Sequence, residues 1–438
     1  MEHYKHFLSC NVILLLLLLT LPAVVHGQGA VQQPPSPSPA PPVPLNFTFT
    51  DLRLAVVYPV IQAFKLTITS DPLGITASWA GPDICSYTGF YCDAPPDNLS
   101  ATAIAAVDFN GYRLSAPTLG GFIDLLPDLA LFHANSNNFS GTIPSGIARL
   151  PYLYELDISN NNLSGQFPSA VFEIAGLSFL DIRFNSFTGS VPPQVFSQYS
   201  LDALFINNNN FIMSLPSNLG STPVLYLTLA NNKFTGPIPR TIGNASSTLT
   251  EVLLLNNLLT GCLPYEIGLL KKATVFDVGN NLLTGQLPYS LACLESIEQL
   301  NFAGNYLYGE IFFKVPEALC GVESLANLSL SGNFFTRIGP TCWKLVKSGV
   351  LDLRKNCIYG IPDQRPYWEC SRLLAHPKVC PNYWWHWHNY VPCKISHSPP
   401  LPPQNPAGKS RPGRPPSQQA RPASVSVTYR ALTNHHRL

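Results

Sequence analysis

The densest group of side chains able to do chemistry is Tyr383-Trp384-Trp385-His386-Trp387-His388, set between Cys380 and Cys393. On a strand, a His-x-His pair turns both imidazoles to one face, which suits a shared metal ion, and the indoles suit stacking on sugar rings. Two nitrogen ligands fall short of a closed tetrahedral site. An aromatic loop held between cysteines and covering the end of a larger structure is the simpler reading. No Gly-rich phosphate loop, His-Glu-x-x-His or Gly-x-Ser-x-Gly occurs anywhere in the sequence. The carboxylates recur at intervals instead of converging on one pocket. The chain therefore reads as non-catalytic, with no cofactor and no metal site.

Those recurring carboxylates point to binding. Glu155, Asp157, Asp181, Glu251 and Asp277, with Arg183 among them, border an apolar group of Phe205, Tyr226, Leu253 and Leu255. Apolar residues rimmed by polar ones mark partner surfaces, aromatic anchors carry much of the energy there, and an acidic rim favours a basic ligand. We read Glu155, Asp157, Asp181, Arg183, Phe205, Tyr226, Glu251, Leu253 and Asp277 as the candidate ligand-binding residues.

What positions them is a repeat. Asn137, Asn161, Asn185, Asn209, Asn232, Asn257, Asn281, Asn305, Asn333 and Asn356 recur at intervals of 24, 24, 24, 23, 25, 24, 24, 28 and 23 residues. Around each runs L-x-L-x-x-N-x-L-x-G, as in Leu156-Asp157-Ile158-Ser159-Asn160-Asn161-Asn162-Leu163-Ser164-Gly165. The L-x-L alternation predicts a short strand with leucines inward and the x residues outward. The asparagine follows where the chain turns, and an inward amide can donate to and accept from neighbouring coils. The unit closes with small-x-apolar-Pro, as in Gly141-Thr142-Ile143-Pro144 and Gly285-Gln286-Leu287-Pro288.

Over residues 101–362 these motifs resemble the plant-type leucine-rich repeat. The resemblance implies an α/β solenoid, a horseshoe of coils about 24 residues long with a strand and a helix or 3₁₀ segment each. A solenoid exposes its core at both ends and needs caps. Residues 45–100 read as the N-terminal cap, with helical spacing over Asp51–Thr69 interrupted by Pro59. Within it Trp79 precedes Cys85 and Cys92, as in the caps of plant leucine-rich repeat proteins, which implies a Cys85–Cys92 disulfide. Residues 363–395 read as a Cys-rich C-terminal cap. Cys320, Cys342, Cys357, Cys370, Cys380 and Cys393 cluster near it; Cys320–Cys342 with Cys357–Cys370 is one pairing among several the sequence permits. Cys262 and Cys293 lie in successive coils and are candidates to pair.

Lys5 and His6 followed by the apolar run Phe7–Val25 make residues 1–27 a signal peptide, so secretion is expected, with no transmembrane segment after it. Residues 28–44 read as a Pro-rich linker. Without Cys10 the cysteines number ten, an even count that suits an oxidising compartment. Asn46, Asn98, Asn138, Asn162, Asn244 and Asn327 head Asn-x-Ser/Thr triplets and are glycosylation candidates. The whole chain carries a formal charge of +1, yet residues 396–438 hold six Lys/Arg and no acid. They read as a disordered, basic, Pro-rich tail suited to acidic wall polysaccharide; nothing points to nucleic acid.

Across residues 45–375 the chain is similar to the leucine-rich repeat extensins, in Asp71-Pro72, the Trp79/Cys85/Cys92 cap, Thr260-Gly261-Cys262-Leu263-Pro264-Tyr265-Glu266-Ile267-Gly268-Leu269-Leu270, Val275-Phe276-Asp277-Val278, and the ending from Asn356-Cys357 through Arg365 to Glu369-Cys370. That resemblance implies an extracellular plant cell-wall or apoplast protein. It further implies binding of small basic Cys-containing signalling peptides, a role in wall organisation or signalling, and a possible homodimer. The Ser-Pro-Pro-Pro-Pro runs and Tyr-x-Tyr motifs of extensins are missing, which argues against covalent insolubilisation. A polygalacturonase-inhibitor-like binder of a pathogen enzyme is the alternative.

Overall fold

The computed structural model describes residues 47–311, 316–376 and 380. The signal peptide (1–27), the linker (28–44), Asn46, the cluster 383–388 and the tail (396–438) lie outside the described residues, as does most of the segment 377–395.

Each coil opens with the expected three-residue strand, such as Glu155–Asp157, Phe179–Asp181 or Glu251–Leu253. Its middle residue is buried: Leu156, Leu180 and Val252 are fully enclosed. Nine such strands, with Phe90–Asp93 and Ala103–Asp108 before them and Leu351–Asp352 after, form one twelve-stranded sheet. All neighbours run parallel except Phe90–Asp93, which pairs antiparallel with Ala103–Asp108 in the N-terminal cap. Because the register is strict, each outward residue has a counterpart in the next coil: His133, Asp157, Asp181, Phe205, Thr228, Leu253, Asp277 and Asn301 form one continuous row.

The asparagines do as their chemistry suggests. Asn257 Nδ2 donates to Leu254 O, Leu255 O and, in the preceding coil, Leu229 O at 3.1 to 3.2 Å, while its Oδ1 accepts from Phe234 N–H at 3.1 Å. All ten repeat asparagines accept a backbone N–H of the preceding coil. Each also donates back to a carbonyl there. Buried turn groups that would otherwise go unpaired are thus tied coil to coil.

After the asparagine comes a second short strand, not anticipated from the sequence, which forms two further five-stranded parallel sheets along the flank. It ends at the repeat glycine, which adopts positive φ; at Gly141 (φ 84°) a Cβ would also come within 2.7 Å of Pro117 O. One coil has Met213 at this position, at φ 78°, although only glycine visits that region without cost. There the flank sheet is split, with a single bridge, Ser214 to Thr235, spanning the gap. The following Pro begins a 3₁₀ turn such as Ser145–Arg149 or Tyr265–Leu269. Between the sheets and turns, Phe187, Phe211 and Phe234 stack at 6.4 Å spacing as the core's spine.

The N-terminal cap is helix Leu52–Thr67. It runs uninterrupted through Pro59, which stands on the exposed side, where the hydrogen bond its ring removes is lost next to water. Trp79 is fully buried, its indole N–H donating to Thr88 O at 3.0 Å, and Cys85 is bonded to Cys92. Asp71 accepts from the backbone N–H groups of Ile75 and Thr76, which gives the Asp71-Pro72 pair its purpose. At the other end, disulfides join Cys320 to Cys342 and Cys357 to Cys370. Arg365 closes the last coils by donating to Gly332 O and Asn333 O at 2.9 Å, with its guanidinium 4.3 Å above the Phe334 ring.

Cys262 does not pair with Cys293. It is bonded to Cys380 across 118 residues, so the chain turns back from its C-terminal cap to the flank of an earlier coil. Gly285 makes room: a Cβ there would lie 2.1 Å from Cys380 Sγ. Cys293 is buried at the end of the 3₁₀ turn Tyr289–Cys293 and is itself disulfide-bonded.

Candidate ligand-binding face

All nine candidate residues stand on, or just after, six adjacent strands of the long sheet, from Glu155–Asp157 to Val275–Asp277. They fall in three rows set by the alternation of side chains. Glu155, Phe179, Ala203, Tyr226, Glu251 and Val275 form the first, in register. Asp157, Asp181, Phe205, Thr228, Leu253 and Asp277 form the second, and Arg183 belongs to the third. Phe179 meets Phe205 edge to face at 5.5 Å, and Tyr226 is 41% exposed. Half-buried Leu253 and Leu255 extend the apolar strip.

The second row has a task the sequence did not announce. Asp108, Asp157, Asp181, Asp277, Asn301 and Asp352 each use one side-chain oxygen to accept the backbone N–H two residues on, at 2.8 to 3.1 Å. This Asx turn closes the strand before the chain bends toward its buried asparagine. One oxygen of each is therefore occupied, and in Asp277 and Asp352 the second is taken as well, by Asn301 Nδ2 and by Arg354.

Asp181 departs furthest from its expected place on the rim. It is fully buried. Burial first, then the charge of Asp157, push its carboxyl up to about 7, against the opposing charge of Arg183. Arg183 Nε lies 2.9 Å from Asp181 Oδ2 but off the line of a hydrogen bond, so both atoms lack one. The Arg183 guanidinium rests 5.4 Å from the centre of the Phe205 ring. Asp181 thus faces Arg183 rather than solvent.

His133 joins the site from the next strand, its Nε2 3.0 Å from Glu155 Oε2. Burial disfavours its imidazolium, but the Glu155 hydrogen bond and the charges of Glu155, Asp157 and Asp108 outweigh that and hold it above its ordinary value. Burial also raises the carboxyls of Glu251 and Asp277, in Asp277 against hydrogen bonds from Gly279 and Asn301. A second, outer amide ladder borders the face: Asn231, Asn256 and Asn280 each donate to Oδ1 of the asparagine one coil back, Asn208, Asn231 and Asn256, at 2.6 to 3.1 Å. The doubled asparagines at 208–209, 231–232, 256–257 and 280–281 were its signal in the sequence.

Asn98, Asn138, Asn162, Asn244 and Asn327 are exposed, Asn327 on a strand of the long sheet itself. Among the described residues no group of three or more His, Cys, Asp or Glu could hold a metal ion, and no helix is long and apolar enough to cross a membrane.

A family model described as Leucine Rich Repeat matches residues 152–173. The chain is 48% identical over 230 residues to leucine-rich repeat extensin-like protein 6 of Arabidopsis thaliana, a match covering 52% of this chain and 48% of that protein. It is 44% identical over 225 residues to leucine-rich repeat extensin-like protein 2 of the same plant, covering 51% of this chain and 28% of the relative. The chain thus spans half or less of the length of these relatives. Among solved structures, the ectodomain of the Arabidopsis receptor kinase HAESA with a peptide hormone ligand superposes with a TM-score of 0.59 at 26% identity, covering 70% of this chain and 50% of that one. Repeat, solenoid and relatives agree, and the chain is a leucine-rich repeat protein related to the leucine-rich repeat extensin-like proteins.

Proposed function

We propose that this is a secreted, non-catalytic protein of the plant cell wall or apoplast that binds a small basic, Cys-containing signalling peptide or a basic protein on the long sheet. The observation that carries this reading is the apolar strip Phe179, Phe205, Tyr226, Leu253 and Leu255, flanked by strands bearing Glu155 and Asp157 on one side and Asp277 on the other, with Glu251 on its last strand. Its centre gives a ligand apolar anchorage and its rim selects for positive charge. The relatives are extensin-like, and the HAESA ectodomain is described with a peptide hormone; both support the reading. The basic residues of 396–438 suit acidic wall polysaccharide as a second attachment.

Affinity capture from a wall extract tests this. The full chain should retain basic peptides, and the triple variant Phe205→Ser, Tyr226→Ser, Leu253→Ser should lose them, while Tyr199→Ser, at an exposed tyrosine off the sheet, should not. Equal capture by the triple variant would refute the surface. Recovery of a pectin hydrolase, with inhibition of its activity, would support the polygalacturonase-inhibitor-like alternative instead.

Helix Leu52–Thr67 supports a homodimer. Its outward stripe is Leu52, Val56, Pro59, Ala63 and Leu66, with Leu52 78% and Leu66 87% exposed. Its two charged side chains turn inward, Arg53 to Asp97 and Asp128, Lys65 to Trp79 O. An antiparallel copy across a two-fold axis near Pro59 would set Leu52 against Leu66 and bury both. Sedimentation should show a dimer that Leu52→Glu with Leu66→Glu abolishes; an unchanged monomer in both proteins would contradict it.

A further inference from the structure

We propose that Arg183 is a proton-gated latch on the long sheet: ionised Asp181 holds its guanidinium down over the Phe205 ring, and a proton on Asp181 lets it lift. The geometry is local and complete. Asp181 is fully buried between strands Glu155–Asp157 and Ala203–Phe205. From the first of these Asp157 faces it in register, and a like charge directly opposite is destabilising. From the second comes only Phe205, which carries no charge. His133, one strand beyond Asp157, is already engaged with Glu155, and Asp157 Oδ1 is taken by Ser159. Arg183 is therefore the neutralising group within reach, and it is 30% exposed, so it can leave.

Two contacts hold the guanidinium: the Asp181 charge and the Phe205 ring. The charge attraction ends when Asp181 is protonated. What remains is a part-exposed cation–π contact, weaker than the rotamer freedom an arginine gives up when pinned. Released, Arg183 bares the Phe205 face and offers its own charge to a ligand carboxylate. Clamped, it covers the ring. Burial and Asp157 put the midpoint near pH 7, so mildly acidic surroundings open the face and alkaline ones close it. The consequence for a ligand rests on the binding reading above; the latch itself does not.

Hydroxyl-radical footprinting of the full chain without any ligand tests it, from about pH 5 to about pH 9, with Phe205 labelling normalised to the exposed Tyr226. Wild type should show a several-fold rise at Phe205 as pH falls through about 7. Asp181→Asn should be labelled strongly at every pH. Arg183→Gln, which has no cation to hold over the ring, should also be high and flat. Flat wild-type labelling overturns the latch, as does a wild-type-like pH profile in either variant. Because no ligand is present, failure here leaves the binding reading standing, and failed peptide capture leaves the latch standing.

Discussion

Two rows of side chains run from coil to coil through this protein, alike in their one-coil repeat and opposite in character. The inner one is the same residue ten times, each asparagine fully paired with its own and the preceding coil. The outer row, Asp108 to Asp352 on the long sheet, changes residue at nearly every step, and its Phe205 and Leu253 are not fully buried. A buried amide has one arrangement that satisfies four backbone groups, so its position tolerates no variation. A strand residue facing water has only to close an Asx turn, or nothing, so it can be given over to recognition. The architecture is written in the row that does not vary, and the partner's character in the one that does.

The largest effect should come from breaking the inner ladder. Asn257→Leu strands the Phe234 N–H in the core and takes one of two partners from the Leu229 and Leu254 carbonyls, which keep Asn232 and Asn281, at about 1–3 kcal/mol for the unpaired group. Denaturant unfolding should register a loss of about 2–3 kcal/mol; a loss under about 0.5 kcal/mol would mean the ladder is not structural.

Next is the one member of the outer row that became buried. The folded-state carboxyl of Asp181 titrates near 7, far above an unfolded aspartate, so the folded chain binds this proton more tightly. Stability is therefore fully present below about pH 4, falls as pH rises, and reaches its floor above about pH 7. Asp181→Asn should raise stability by on the order of 2 kcal/mol near pH 8.5 and leave it unchanged near pH 4. Thermal melts at both pH values check this, and a gain that is equal at both would contradict it.

A smaller gain should follow from repairing the flank. Met213→Gly removes a side chain from a left-handed position and should stabilise the chain by about 1 kcal/mol, with the Ser214–Thr235 region gaining protection in hydrogen exchange. The smallest effect belongs to the outer amide ladder: Asn256→Gly, at an exposed left-handed position (φ 53°) beside Asn257, should stay within about 0.5 kcal/mol. A loss approaching that of Asn257→Leu would erase the distinction between the inner and the outer asparagines.

How much of this was legible depended on range. The strand, the inward asparagine and the repeat glycine declare themselves within ten residues, because each answers a local need: alternation, turn pairing, positive φ. The row membership of Glu155, Tyr226 and Leu253 followed from the same arithmetic. The burial of Asp181 did not, because it depends on Arg183 and Phe205 folding over it from two coils. Nor did Cys262–Cys380, whose partners are 118 residues apart and meet only because Gly285 leaves a gap. The flank sheet was missed because its strands are short and interrupted by glycine, so their alternation is weak.

The central claim is that the long sheet, not the flank or the turns, receives the ligand. Hydrogen exchange on the chain with and without its captured basic peptide measures this directly. New protection should fall on Glu155–Asp157, Ala203–Phe205, Tyr226–Thr228 and Glu251–Leu253. Protection confined to flank strands such as Leu258–Cys262 or to turns such as Tyr265–Leu269 would contradict it.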